Sequence, residues 1–214
     1  ALEQWGSEVH TAIRPFRARD LQAAALPDSL IPLSALPALD RWAGIRNGRK
    51  VRWGPLVDAS LGVDNTTART QLVNRLGGGL WTDMDLGPKL NLHLNAQAWG
   101  EALPTYLDTL VRATQVTPGE GYATGTADMR THYDINGHLS WDVGKYFNFT
   151  AGRGRNSFGN GHRSLMLSDE AYGYPYLRIT TTVWKVKYVN LFTAMSDIRG
   201  AGGTVSDFQR KYTS

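Results

Sequence analysis

The groups best placed to do chemistry in this chain are five histidines, a glycine- and arginine-rich segment, and carboxylates set among alternating residues. His10, His93, His132, His138 and His162 show no close metal-ligand spacing, so no metal site is expected from them. The segment 152–161, GRGRNSFGNG, is glycine-rich but lacks the Gly-Lys-Ser/Thr that completes a phosphate loop. Asp134 and Asp142 fall on one face of a strand, eight residues apart, farther than a catalytic carboxylate pair stands. No nucleophile–base pair stands out. The expectation is therefore a protein that is not an enzyme and carries no cofactor. What remains is a polar surface that includes Asn91, His93, Asn95, Gln97, Asp134, Asn136 and His138. Such amides, carboxylates and imidazoles suit sugar hydroxyls, and equally a hydrated lumen.

Strands must position these groups. Between Tyr133 and Val143, Tyr133, Ile135, Gly137, Leu139, Trp141 and Val143 alternate with Asp134, Asn136, His138, Ser140 and Asp142. Successive side chains of a strand point to opposite sides, so this pattern is a strand with one apolar and one polar face. The same period recurs at Val51–Asp64, Leu72–Thr82, Leu90–Ala98, Phe147–Gly152, Leu177–Val183 and Val189–Met195, giving seven strands. In the last of these, Val189, Leu191, Thr193 and Met195 form the apolar row, after a turn at 185–187. Gly77-Gly78-Gly79 makes the second strand the poorest. From the second connection onward, short turns alternate with long ones near 100–130 and 156–175, the first of which holds a helix at Tyr106–Ala113. Residues 1–50 lack the period of two and read as an N-terminal segment, with short helices suggested at Arg17–Ala25 and Pro37–Ala43.

Composition narrows the class. The chain has 214 residues, 42% hydrophobic and 20% charged, so it can fold on a sizeable core. It has no Cys, which removes disulfides and thiolate metal sites. Net charge is +4, but Arg and Lys are scattered, so no nucleic-acid partner is expected. No apolar run approaches the ~20 residues of a membrane helix, and no secretion signal is visible. Absence of both does not exclude a membrane protein, because barrel strands are individually too weak for a hydropathy window. Alternating strands joined by short and long connections suit an outer-membrane barrel. They suit a soluble β-sandwich as well, because periodicity leaves open whether Leu90, Leu92 and Leu94 face lipid or a packed core.

One block carries a resemblance. Arg155-Asn156, Gly159-Asn160-Gly161, Arg163-Ser164-Leu165 and Leu167-Ser168-Asp169 are followed by Tyr174-Pro175-Tyr176-Leu177 and by Trp184 to Leu191. This order resembles the Wzi-like capsule-assembly proteins of the bacterial outer membrane, and especially the RemB-type gliding-motility members of the Bacteroidetes. Val9–Phe16, Pro104–Tyr106 and Val116–Gly119 are similar to further motifs of that family. The resemblance implies an all-β, antiparallel transmembrane β-barrel in the outer membrane of a Gram-negative cell. It implies residues 1–50 on the periplasmic side and 51–214 as the first strands of a larger barrel. Its expected partners are surface polysaccharide or lipopolysaccharide, membrane lipid and a larger outer-membrane complex, in capsule assembly or gliding. Arg153, Arg155, Asn156, His162, Arg163 and Asp169 are the residues it offers for polysaccharide. A porin-like diffusion channel and a soluble carbohydrate-binding sandwich are the alternatives.

Overall fold

A computed structural model describes residues 13–14, 44–46, 49–65, 71–126, 128–159, 167–197 and 209–213. The elements are β1 (Ile13–Arg14), β2 (Gly44–Arg46), β3 (Arg49–Asp64), β4 (Gln71–Asp85), β5 (Leu90–Ala102), α1 (Thr105–Thr114), β6 (Val116–Thr117), β7 (Gly121–Gly125), β8 (Arg130–Val143), β9 (Phe147–Gly154), β10 (Ser157–Phe158), β11 (Tyr174–Val183), β12 (Val186–Asp197) and β13 (Gln209–Thr213). The seven expected strands are β3, β4, β5, β8, β9, β11 and β12. They pair antiparallel in chain order, with β2 and β13 at the two edges. Among the described residues those edges do not pair with each other. The helices suggested at 17–25 and 37–43 lie outside the described residues. From the N-terminal segment, β1 pairs with β10 at the end of the sheet that carries the long connections.

The two faces have inverted burial. Val57, Leu61 and Leu76 are 80%, 76% and 68% exposed, whereas Asn91, Ser140 and Thr150 are 0% exposed. Leu94, Ile135, Leu139 and Trp141 continue the exposed apolar face across β5 and β8. Trp53, Trp141, Phe147 and Tyr188 are exposed near the short-turn end. The leucines of β5 are thus not buried between stacked sheets. The buried apolar cluster lies elsewhere, under α1, where Leu103, Val111 and Ala123 meet Leu107.

In β12 the apolar row is displaced by one. Val183 pairs with Val186, so the turn is the two residues Trp184-Lys185 rather than 185–187. Trp184 takes a left-handed φ of 53° there. A one-residue shift in a strand exchanges its faces. Val186, Tyr188 and Phe192 are therefore the exposed row, and Thr193 is buried opposite Tyr176.

The triple glycine does not loosen β4. Its register runs unbroken over 71–85 with β3 and over 74–85 with β5. Gly77 points to the polar face, where a Cβ would stand 2.1 Å from Trp99 Cδ1. The absent side chain lets the Trp99 indole lie across β4 and donate from Nε1 to Asp58 Oδ2 on β3, at 2.9 Å. Gly78 faces the other way, and a Cβ there would meet nothing closer than 3.9 Å. Gly77→Val should lower stability in urea unfolding by about 1–3 kcal/mol through overpacking. Gly78→Val should stay within about 0.5 kcal/mol. Equal effects of the two would show that Trp99 does not depend on the gap.

Candidate functional site

The polar face of β3, β4, β5 and β8 lines a half-open cavity of about 560 Å³, to which the turn 118–120 contributes Glu120. Strand register sets out its charged groups. Arg75 on β4 pairs with Glu101 on β5, and Trp99 on β5 with His132 on β8. Arg75 Nε donates to Asp58 Oδ2 at 2.8 Å, and its Nη1 donates to Glu120 Oε1 and lies 3.6 Å from Glu101 Oε2. The guanidinium also lies over the Trp99 ring, 5.0 Å from its centroid. On the other side of Trp99 the His132 imidazole stacks at 4.9 Å and 19°. One cation thus serves three carboxylates across two strands and the covering turn. Burial pushes the Glu120 carboxyl up, but His132 and Arg75 hold it below its ordinary value.

Toward the short turns the same face carries a second layer. His93 and His138 stack with ring centroids 5.4 Å apart. His93 Nδ1 is 3.5 Å from Asp83, which also receives Asn91 Nδ2 at 3.2 Å and Arg52 Nη2 at 3.4 Å.

The turn 118–120 is held down from several directions. Asp64 Oδ2 accepts the Thr105 N–H at 3.0 Å, capping α1 from β3. Buried Arg130 on β8 donates to Asp108 of α1 at 2.9 and 3.0 Å. Gly121, at φ 113°, approaches the face of Tyr172 so closely that a Cβ would stand 2.3 Å from the ring. The two long connections therefore meet at Gly121 and Tyr172.

The six residues offered by sequence divide. Arg153 and Arg155 converge on Asp134, at 3.7 and 3.3 Å. Arg155 Nη2 also donates to Gly119 O at 2.9 Å, and Arg153 stacks over Tyr172 with its Cζ 4.5 Å from the centroid. Register through Gly152 and Gly154 is continuous, so no bulge turns these arginines. Arg153 stands opposite Gly137, at the point where β9 leaves β8, and reaches past Ile135 O to the acid. Asn156 joins a different group. It is fully buried, its N–H donates to Tyr174 Oη at 3.1 Å, and its Oδ1 accepts from Arg178 Nη1 at 3.2 Å. Asp169 lies half-buried in the turn 169–170 and does not line the cavity. His162 and Arg163 lie outside the described residues. Sequence does not single out Asp58, Arg75, Trp99, Glu101 and Glu120, and sets His132 aside for want of a nearby ligand, because their contacts join positions 12 to 45 residues apart. The one usable signal was the position of Arg75, Glu101 and His132 on the polar parity of their strands.

No family model, no curated protein and no solved structure matches this chain. The site offers donors and acceptors around an aromatic ring, as hydroxyl-rich ligands require, and convergent carboxylates, as cations require.

Asp134 is buried and also accepts from Asn136 Nδ2 at 2.7 Å. Asp134→Ala leaves two guanidiniums without their acid and should cost about 3–5 kcal/mol in chemical denaturation. Arg155→Ala should cost about 1 kcal/mol, with faster amide exchange at 118–121. Unchanged exchange in both variants would show that Asp134 does not hold the turn.

Proposed function

We propose that β3–β12 are staves of a transmembrane β-barrel in a bacterial outer membrane, and that the protein is a non-enzymatic component of cell-surface polysaccharide assembly or attachment. The observation that carries the membrane reading is the inverted burial. Soluble monomers rarely expose contiguous apolar patches beyond a few hundred Å², and this face continues from Val57 through Leu76, Ile135 and Leu177 to Phe192. Lipid gives those side chains an apolar surrounding, while the polar face encloses water. The long strands, of 10 to 16 residues apart from β9 with 8, suit the ~9–11 needed for a tilted crossing. Exposed Trp53, Trp141, Phe147 and Tyr188 near one end fit an interfacial aromatic belt. A barrel has no free edge in lipid, so the reading requires partners for the edges at β2 and β13.

The polysaccharide reading rests on the polar cavity, where Asn95, Gln97 and His138 present amides and imidazole beside Trp99. Arg153 and Arg155 line that cavity but already share Asp134, so they favour a ligand bound by hydrogen bonds over one bound by bare charge. The resemblance of 155–191 to capsule-assembly and gliding proteins supports the same reading. The side chains packed on the polar face, Arg75, Trp99 and Glu120 among them, favour it over an open diffusion channel.

Leu76→Arg tests the membrane reading. On a lipid-facing strand it should cost about 2–4 kcal/mol in folding into bilayers, whereas on a hydrated surface it should stay within about 0.5 kcal/mol. Release of the protein by salt without detergent would overturn the barrel. Glycan-array binding by the wild type, weakened at least tenfold in Asn95→Ala/His138→Ala, is the expected result for the site. Equal binding by both proteins would remove the cavity from the proposal, and high conductance in planar bilayers would favour the channel.

A further inference from the structure

One set of buried groups on the polar face is not used up by the ion pairs around it. Glu101 comes from β5, His132 from β8 and Glu120 from the turn above them. The His132 side chain is fully buried, and that of Glu101 is 5% exposed. Arg75 Nη1 engages one oxygen of each acid, Glu101 Oε2 and Glu120 Oε1. The other oxygens, Glu101 Oε1 and Glu120 Oε2, are buried and make no hydrogen bond, and neither does either nitrogen of His132. These unpartnered atoms face one another. Nδ1 lies 3.3 Å from Glu101 Oε1, and Nε2 lies 2.6 Å from Glu120 Oε2. One ligand atom from each of the three residues lies within 4.8 Å of the other two.

A hydrogen-bonded histidine is a poor account of this arrangement. The approaches are short, yet off the N–H directions, and a neutral imidazole has a single N–H for two acceptors. Ligands held ~2.0–2.2 Å from a tetrahedral zinc-class ion stand about 3.3–3.6 Å from one another, so one nitrogen of His132 and one oxygen of each acid, all within 4.8 Å of one another, need only small side-chain shifts to share an ion. Charge agrees. Asp58, Glu101 and Glu120 outnumber the one guanidinium of Arg75, and a divalent ion would offset that excess of acid. Arg75, holding the far oxygen of each acid, orients the near ones, as outer-shell partners do around a metal.

We propose that Glu101, Glu120 and His132 bind one divalent transition-metal ion of the zinc class, through one imidazole nitrogen and two carboxylate oxygens. The ion clips the turn 118–120 to the strands beneath it. The proposal does not depend on the sheet closing or on a glycan.

The test is calorimetric titration of the full chain, stripped by chelator, with Zn²⁺ alone at pH 7, together with melting curves. The expected result is one equivalent bound with micromolar or tighter affinity and a higher melting temperature. His132→Asn and Glu101→Gln should weaken binding at least tenfold, and His138→Asn, on the same face but outside the cluster, should leave it unchanged. Glu120→Gln, in a turn, keeps the test valid if the strand variants misfold: its circular dichroism should match the wild type while its Zn²⁺ affinity falls at least tenfold. Absence of saturable binding, equal affinity in the folded Glu120→Gln variant, or preference for Ca²⁺ over Zn²⁺ would overturn the assignment.

Discussion

Charges can leave water on a folded sheet only where their opposites are already in place, and the polar face of this protein is built on that constraint. Arg75 is its centre. It meets Asp58, Glu101 and Glu120, and stacks against Trp99. Removing any one of these carboxylates from the set would still leave the guanidinium partnered. Removing Arg75 would take the shared guanidinium from three acids at once, leaving Asp58 with Trp99 and the two glutamates with His132. The same logic repeats at smaller scale where Asp134 gathers Arg153 and Arg155, and where Asp108 gathers Arg112 and Arg130.

These clusters explain how a sheet can turn its hydrophilic side inward. Ordinary domains bury apolar faces because water rejects them, at roughly 25 cal/mol per Å². Here cohesion on the polar face comes from ladder hydrogen bonds, ion pairs and stacked rings, while the apolar rows stay exposed. The register makes this consistent across strands, since each polar residue of β5 stands opposite a polar-side residue of β8, as His93 does with His138 and Gln97 with Asp134.

Much of the architecture could be read from the amino-acid order, because a period of two is a local signal. Leu90–Ala98 and Tyr133–Val143 declared both their strands and their faces. The helix was found within one residue at each end, 106–113 against Thr105–Thr114. The failures have local causes. In β12 polar and apolar residues are mixed on both parities, so the face depended on the turn, and a left-handed Trp184 is not a common turn signal. The glycines of β4 looked like weakness because the ring that fills the space above Gly77 belongs to a residue 22 positions later. The cluster of Glu101, Glu120 and His132 was hidden for the same reason. Ligand spacing within a sequence reveals a site only when the chain turns back on itself nearby, and here three separate elements supply one residue each.

The contact between Gly121 and Tyr172 joins connections that are otherwise distant in the chain, and Arg155 fastens to the carbonyl of Gly119 beside it. Opening either connection would break contacts to the other, so their local stabilities are coupled: a change that frees Arg155 or Tyr172 also loosens the turn at 118–120.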